Sequence, residues 1–160
     1  MADLVRAGSD RMARRASGRG PVREFLTFVL AGDAFGVELT RIREILSPPP
    51  ITTVPRAPRY IVGVCSVRGL LVAVVDLRLR LGLEAKPRTR KARILLAQSE
   101  AGEVVGLMVD EVRHVVRLSD AEMELASTAL GAEVSEFVLG VGRPDDEFIV
   151  LLDLRAVVSR

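Results

Sequence analysis

From Glu24 onward the chain is written in short apolar segments of five to eight residues, rich in Val, Ile, Leu and Phe, separated by Gly, Pro and Asp breaks. That texture predicts an all-β protein. Strands are expected at 24–30, 34–38, 61–67, 70–77, 92–98, 103–109, 112–118, 137–141 and 148–154. Short helices or turns are expected at 78–83 and 155–159. Pro48-Pro49-Pro50 ends regular structure after Leu46, because three successive ring nitrogens carry no donor. The polar, Pro-containing stretch "EAKPRTRK" at 84–91 reads as a connector. Residues 1–22 mix Arg, Gly, Ser and Ala without hydrophobic periodicity, and read as a mobile Arg-rich tail ahead of a folded region at 23–160.

Two of the apolar segments carry the same text. "VRGLLVAVVDLRLRLGL" (67–83) contains Asp76-Leu77-Arg78, and "EFIVLLDLRAVV" (147–158) contains Asp153-Leu154-Arg155. Gly63-Val64 and Gly140-Val141 match at the same offset, with Tyr60 opposite Phe137. Upstream, "GVELTRIREI" (36–45) lies without a gap against "GLMVDEVRHV" (106–115). The repeat predicts two similar small β-units with the break near 84–91. Small barrels suit such short strands, because closure removes sheet edges. Neither unit is large enough to be comfortable alone, so burial between them is expected. Asp76 and Arg78, at a strand end, are expected to fix the turn that follows.

The 160 residues are 49% hydrophobic, yet no apolar run reaches the ~18–20 residues of a membrane span, and the first 23 residues lack the apolar middle of a secretory signal. Cys65 is the only cysteine, which forbids an internal disulfide and suits a reducing cytoplasm. Net charge is +2, carried almost wholly by Arg; Lys86 and Lys91 are the only lysines.

Catalytic chemistry has little to work with. His114 is the only histidine and sits in the strand-like run "VRHVVRL". Cys65 reads as a small buried strand residue, with Arg68 the only charge nearby. There is no Cys/His metal spacing, no Walker sequence, and "GVG" at 140–142 opens no helix with a third glycine. Asp145-Asp146-Glu147 reads as a solvated hairpin tip. A non-enzyme without cofactor or metal is expected.

Taken in order, the motifs resemble the CheW family of chemotaxis coupling proteins. The pattern runs through "FLTFVLAGDAFGVELTRIREIL", "ITTVPRAPRYIVGVCSVRGLLVAVVDLRLRLGL", "VGLMVDEVRHVVRL" and "LGVGRPDDEFIVLLDLRAVV", from Glu24 to about Val158. Its most specific block is a T-x-V-P-x-x-P-x-aromatic lead into an Arg-Gly turn and V-x-D-L-R. Two positions depart from the family pattern: Ser66 stands where the turn usually has Asn, and Ala73 where the strand usually has Pro. The resemblance implies two five-stranded SH3-like β-barrels packed together, with short helices. It also implies a cytoplasmic, non-catalytic scaffold that joins the cytoplasmic tip of a chemoreceptor to a CheA-type histidine kinase. On that resemblance Glu44 and Arg68 form a charge pair at the receptor site on the turn that Gly69 permits. Ile42, Val64 and Val67 line an apolar groove for receptor helices, and Thr53, Val54, Pro55, Arg56 and Arg59 contact the kinase.

Two other readings compete. Small basic barrels bind nucleic acid, here through Arg88, Arg90, Lys91, Arg93 and the tail arginines; but such barrels stack bases on aromatic rings, and aromatics are only 4% of this chain. A peptide-binding adaptor serving a gliding, pilus or developmental pathway would carry the same fold and surfaces as one serving flagellar taxis.

Overall fold

The computed structural model describes residues 21–125 and 136–159, and each expected strand appears there within two residues of its predicted bounds. In chain order the strands are β1 (Val22–Leu30), β2 (Asp33–Glu38), β3 (Ile42–Leu46), β4 (Ile61–Val67), β5 (Leu70–Asp76), β6 (Arg93–Gln98), β7 (Val104–Val109), β8 (Glu111–Ser119), β9 (Met123–Leu125), β10 (Val138–Gly142) and β11 (Ile149–Leu152). Helix α1 (Leu77–Arg80) follows β5, and α2 (Leu154–Val158) follows β11. No described helix is long and apolar enough to cross a membrane. Residues 1–20, which hold nearly all of the expected tail, lie outside the described residues. The boundary itself moves: Val22 already belongs to β1, where it pairs with Ser119 of β8.

The strands form two mixed sheets, ordered β8-β1-β2-β11-β10-β9 and β3-β6-β7-β5-β4. One has six strands where the resemblance implies five, the extra one being the short β9. The repeat is physically real. Gly63 and Gly140 each sit at a register shift of their hairpin. A Cβ on either would meet a crossing backbone carbonyl, Thr52 O at 2.1 Å or Glu124 O at 2.2 Å. Asp76 N–H donates to Tyr60 O (2.7 Å), and Asp153 N–H to Phe137 O (2.8 Å). The Asp76 carboxylate then accepts from Arg78 N–H at α1, as the Asp153 carboxylate accepts from Arg155 N–H at α2, each at 3.0 Å. A carboxylate at a helix start satisfies an otherwise orphaned N–H, which is why the same three residues close both apolar strands.

The division between units is not where the chain order suggests. The connector 84–91 joins β5 to β6, and both belong to the five-stranded sheet. Each half of the chain instead lends its first two strands to the other half's sheet. Thus β1 and β2 pair with β8 and β11, while β6 and β7 pair with β3 and β5. The seams β2·β11 and β5·β7 are parallel. A parallel pair cannot be joined by a hairpin, so these seams can only be made between distant segments.

Three buried clusters follow from this interlacing. One lies in the five-stranded unit (Cys65, Val72, Val74, Ile94, Leu96, Met108), and one in the six-stranded unit (Phe25, Leu118, Ile149, Leu151). The largest takes residues from both, among them Leu26, Phe28, Leu30, Val75, Leu95, Leu107 and Leu152. Alternation along β6 sends Ile94 and Leu96 to one cluster and Leu95 and Ala97 to another. A strand buried on both faces reads as one continuous apolar run for that reason. Ser119 aside, Thr27 is the buried polar residue among those described. It occupies the bulge between Leu26 and Phe28, where its hydroxyl donates to His114 O (2.5 Å) and accepts from His114 N–H (3.1 Å). Both broken ladder groups are thereby satisfied.

Candidate functional site

The β4–β5 hairpin turns through Arg68 (φ 49°) and Gly69 (φ 81°). Positive φ at both central residues is the two-residue turn whose twist matches the flanking strands. At Gly69 the requirement is purely conformational, since an added Cβ would meet nothing within 4 Å. The turn lifts the Arg68 guanidinium toward β3. That strand alternates half-buried Ile42, Glu44 and Leu46 with exposed Arg43 and Ile45. Arg68 Nη1 donates to Glu44 Oε2 at 2.6 Å, and Nη2 donates to Oε1, giving a two-point fork. The hydrogen bond and positive charge of Arg68 hold the Glu44 carboxyl below its ordinary range, and Glu44 in turn raises Arg68. The Arg68 side chain remains 71% exposed, so the fork is presented outward.

The strands of the same hairpin also line a groove of about 430 Å³, which neither Glu44 nor Arg68 lines. Its floor is the face of β4, β5 and β7 carrying Ile61, Val64, Leu71, Ala73, Val75 and Val105, and its far wall is Val157, Val158 and Ser159 of the α2 segment. Leu70 and Leu71, just beyond the turn, are 62% and 76% exposed, and Ile45 on β3 is also exposed. Of the three apolar residues expected to line a groove, Val64 does so. Ile42 packs against the large shared cluster and Val67 against the five-stranded one. The 53–59 loop holds Thr53, Val54, Pro55, Arg56 and Arg59 at the surface, with Arg56 at φ 62°.

The family profile described as CheW-like domain matches residues 24–160. The chain belongs to the CheW-like family. It is 33% identical over 135 residues to the chemotaxis protein CheW of Rhizobium meliloti, covering 84% of this chain and 86% of that one. It is 26% identical to the chemotaxis protein CheW of Bacillus subtilis, covering 86% and 87% respectively. The crystal structure of the scaffolding protein TtCheW from Thermoanaerobacter tengcongensis superposes with a TM-score of 0.78 at 25% identity, over 86% of this chain and 93% of that one.

Within this CheW-like frame the sequence left several groove residues unnamed: Ile61, Leu71, Ala73, Val75, Val157 and Val158. One signal was present. Leu70 and Leu71 are consecutive on a strand, and side-chain alternation forbids both from facing one core. Nothing comparable marked Val157 and Val158, which read as the end of a short helix.

Other expected features have structural places. Asp76 caps α1, as anticipated, and Arg78 reaches further. Its Nε donates to Asp110 Oδ1 (2.8 Å) and its Nη2 to Oδ2, while Oδ2 also accepts from Ala31 N–H (2.9 Å) in the β1–β2 turn. Burial works to raise the Asp110 carboxyl; the Arg78 hydrogen bonds, the Ala31 N–H and the guanidinium charge outweigh it, leaving the pKa below the ordinary value. A depressed folded pKa stabilises fully above the unfolded value of about 4 and is lost as pH falls through the folded value. Melting curves between pH 6 and 2 are therefore expected to show a smaller acid-induced fall in Tm for Asp110→Asn than for the wild type. Equal falls would remove Asp110 from acid unfolding.

His114 is exposed on β8, and Cys65 is buried, with burial pushing its thiol up. Asp145 and Asp146 are exposed in the tight turn before β11, where Glu147 pairs with Arg113. Among the described residues no cluster of three or more His, Cys, Asp or Glu side chains is placed to hold a metal ion.

Proposed function

We propose that this chain is a non-catalytic cytoplasmic coupling protein that holds a chemoreceptor's cytoplasmic tip against a CheA-type histidine kinase. The observation that carries the reading is an exposed two-point Glu44–Arg68 fork at the tip of the hairpin whose strands line a mainly apolar groove, in a chain matched to the CheW-like family from 24 to 160. A groove with an apolar floor and a polar, geometrically defined fork on the same hairpin suits an amphipathic helix, whose apolar face fills the floor while its polar flank meets the fork. Val64, Arg68 and Gly69 sit on that hairpin. Ile42 and Val67 act from behind it as packing that holds the two strands in place. The exposed 53–59 loop, with Val54 39% exposed, is the proposed kinase contact.

Scaffolding asks for no reactive side chain, and the lone histidine on an exposed strand fits that requirement. Binding of single-stranded nucleic acid asks for open aromatic faces. Phe25 and Phe28 are buried, Tyr60 and Phe137 lie under the Arg80 guanidinium, and Phe148 lies under that of Arg143.

The test is reconstitution with membranes bearing a chemoreceptor of the same organism, together with that organism's CheA-type kinase. Kinase is expected to sediment with receptor only when this protein is added, and the protein is expected to acquire no phosphate from kinase and ATP. Kinase sedimentation independent of this protein, or stable phosphate on His114, would remove the scaffold reading.

A further inference from the structure

The far wall of the groove is a weak element by itself. Helix α2 has five residues, far below the length at which a helix persists in water, and its last carbonyls have no partner within it. Ala156 O accepts locally from Ser159 Oγ–H (3.0 Å), while the side chain that meets Val157 O and also reaches Ala156 O comes from the other half of the chain. Arg80, the last residue of α1, donates from Nε to Val157 O at 3.0 Å and from Nη2 to Ala156 O at 3.3 Å and to Ser159 O. Its guanidinium also lies over two rings, with Cζ 4.4 Å from the Tyr60 centroid and 4.8 Å from that of Phe137. Tyr60 and Phe137 occupy matching places in the two repeats, so one cation bridges both halves.

The repeat makes the asymmetry informative. "DLRLR" closes the first unit and "DLRAV" the second, so Val157 stands where Arg80 stands. Two arginines there would face the same pair of rings. With one arginine and one valine, the cation caps the partner helix while Val157 itself is buried in the shared cluster. A flat fork with several donors is required, because one side chain must stack on aromatic faces and reach more than one carbonyl.

We infer that Arg80 is a positioning residue for receptor binding: it touches no receptor atom, and it docks α2 so that Val157, Val158 and Ser159 form the groove wall. This rests on the proposed receptor role of that groove. When the wall is docked only part of the time, apparent affinity falls in proportion to the docked fraction.

The experiment uses the full chain and a soluble helical-hairpin fragment of the cytoplasmic tip of a chemoreceptor from the same organism, with the kinase regulatory domain titrated separately. Arg80→Ala is expected to weaken receptor-fragment binding about tenfold, matching a docked fraction near one tenth. Amide exchange at Val157 and Ser159, whose N–H groups bond within α2, should accelerate while exchange in β10 stays unchanged. Kinase-domain affinity should not move. Arg80→Lys keeps charge without the flat fork and should fall between the two; it also serves as the readout if the alanine variant does not fold. Val64→Arg, which blocks the groove floor, separates the two ideas. Lost binding in Val64→Arg with wild-type binding and exchange in Arg80→Ala overturns the inference alone. Wild-type binding in Val64→Arg overturns the groove reading and the inference with it. Equal losses of receptor and kinase binding in Arg80→Lys would reduce Arg80 to general stability and overturn it too.

Discussion

Phe28→Ala is expected to lower the unfolding free energy by about 3–5 kcal/mol, and to do so for both sheets at once. Phe28 is fully buried on β1 and its ring stacks 6.3 Å from that of Phe35. Its strand belongs to the six-stranded sheet, but the cluster it fills includes Leu95 and Leu107 of the five-stranded one. Removing the ring leaves a cavity in the layer that joins the two units, where relaxation of either requires movement of the other. A single domain commonly has only about 5–15 kcal/mol in total, so the loss is a large share of it. The measurement is thermal and urea unfolding followed by circular dichroism, with residue-level amide exchange in β6 and β10 as separate reporters. One coincident transition, shifted down by about 10 °C or more, is expected. Leu70→Ala, at a 62% exposed position, should shift it little. A five-stranded sheet that kept its wild-type stability in Phe28→Ala would mean the units unfold independently.

That expectation depends on the feature least legible in the sequence. The repeat could be read from Gly63, Asp76 and Tyr60 and their counterparts, because each marks a local backbone event: a close approach, a helix cap, a strand entry. Which strand of one half pairs with which strand of the other is decided by non-local seams. Val150 faces Phe35, and Ala73 faces Val105, with no local mark on any of the four. A polar, Pro-containing stretch at 84–91 therefore looked like a boundary and is a crossover within one sheet. β3 carries no strand pattern of its own, since "IREIL" places apolar residues at 42, 45 and 46 as a helix would, and only pairing with β6 reveals its alternation. β9 is three residues long, below what any periodicity can register.

The site divides the same way. The Glu44–Arg68 pairing came from resemblance; the residues alone, 24 positions apart, carry no sign of it. Its geometry becomes intelligible once the positive-φ turn is seen to aim Arg68 at β3. Arg80 was invisible for a different reason. An arginine at the end of a short helix is ordinarily solvated, and its meaning here depends on two rings and three carbonyls brought together from residues 60, 137 and 156–159.

Arg68→Ala and Glu44→Ala are each expected to leave the melting curve nearly unchanged and to weaken receptor binding by about tenfold or more. An exposed ion pair is solvated in the unfolded chain and nearly as well solvated in the folded one, so its loss costs folding little. Binding is different, because on the proposed reading a receptor helix seated in the groove would cover the fork, and a polar group left there without its partner would lose water and gain nothing. Kinase binding, proposed for the 53–59 loop, should be affected less than receptor binding. The double variant Glu44→Arg with Arg68→Glu decides what the pair is for. It rebuilds an oppositely charged pair across the same two strands, so a pair that only braces the turn would be restored. A pair that also presents Arg68 to a receptor carboxylate would stay inactive, since the group facing the partner now has the wrong sign. Continued loss in the double variant, with an intact fold, is the expected result. Recovery of receptor binding would limit the pair to bracing the hairpin, and wild-type binding in both single variants would remove it from the receptor site.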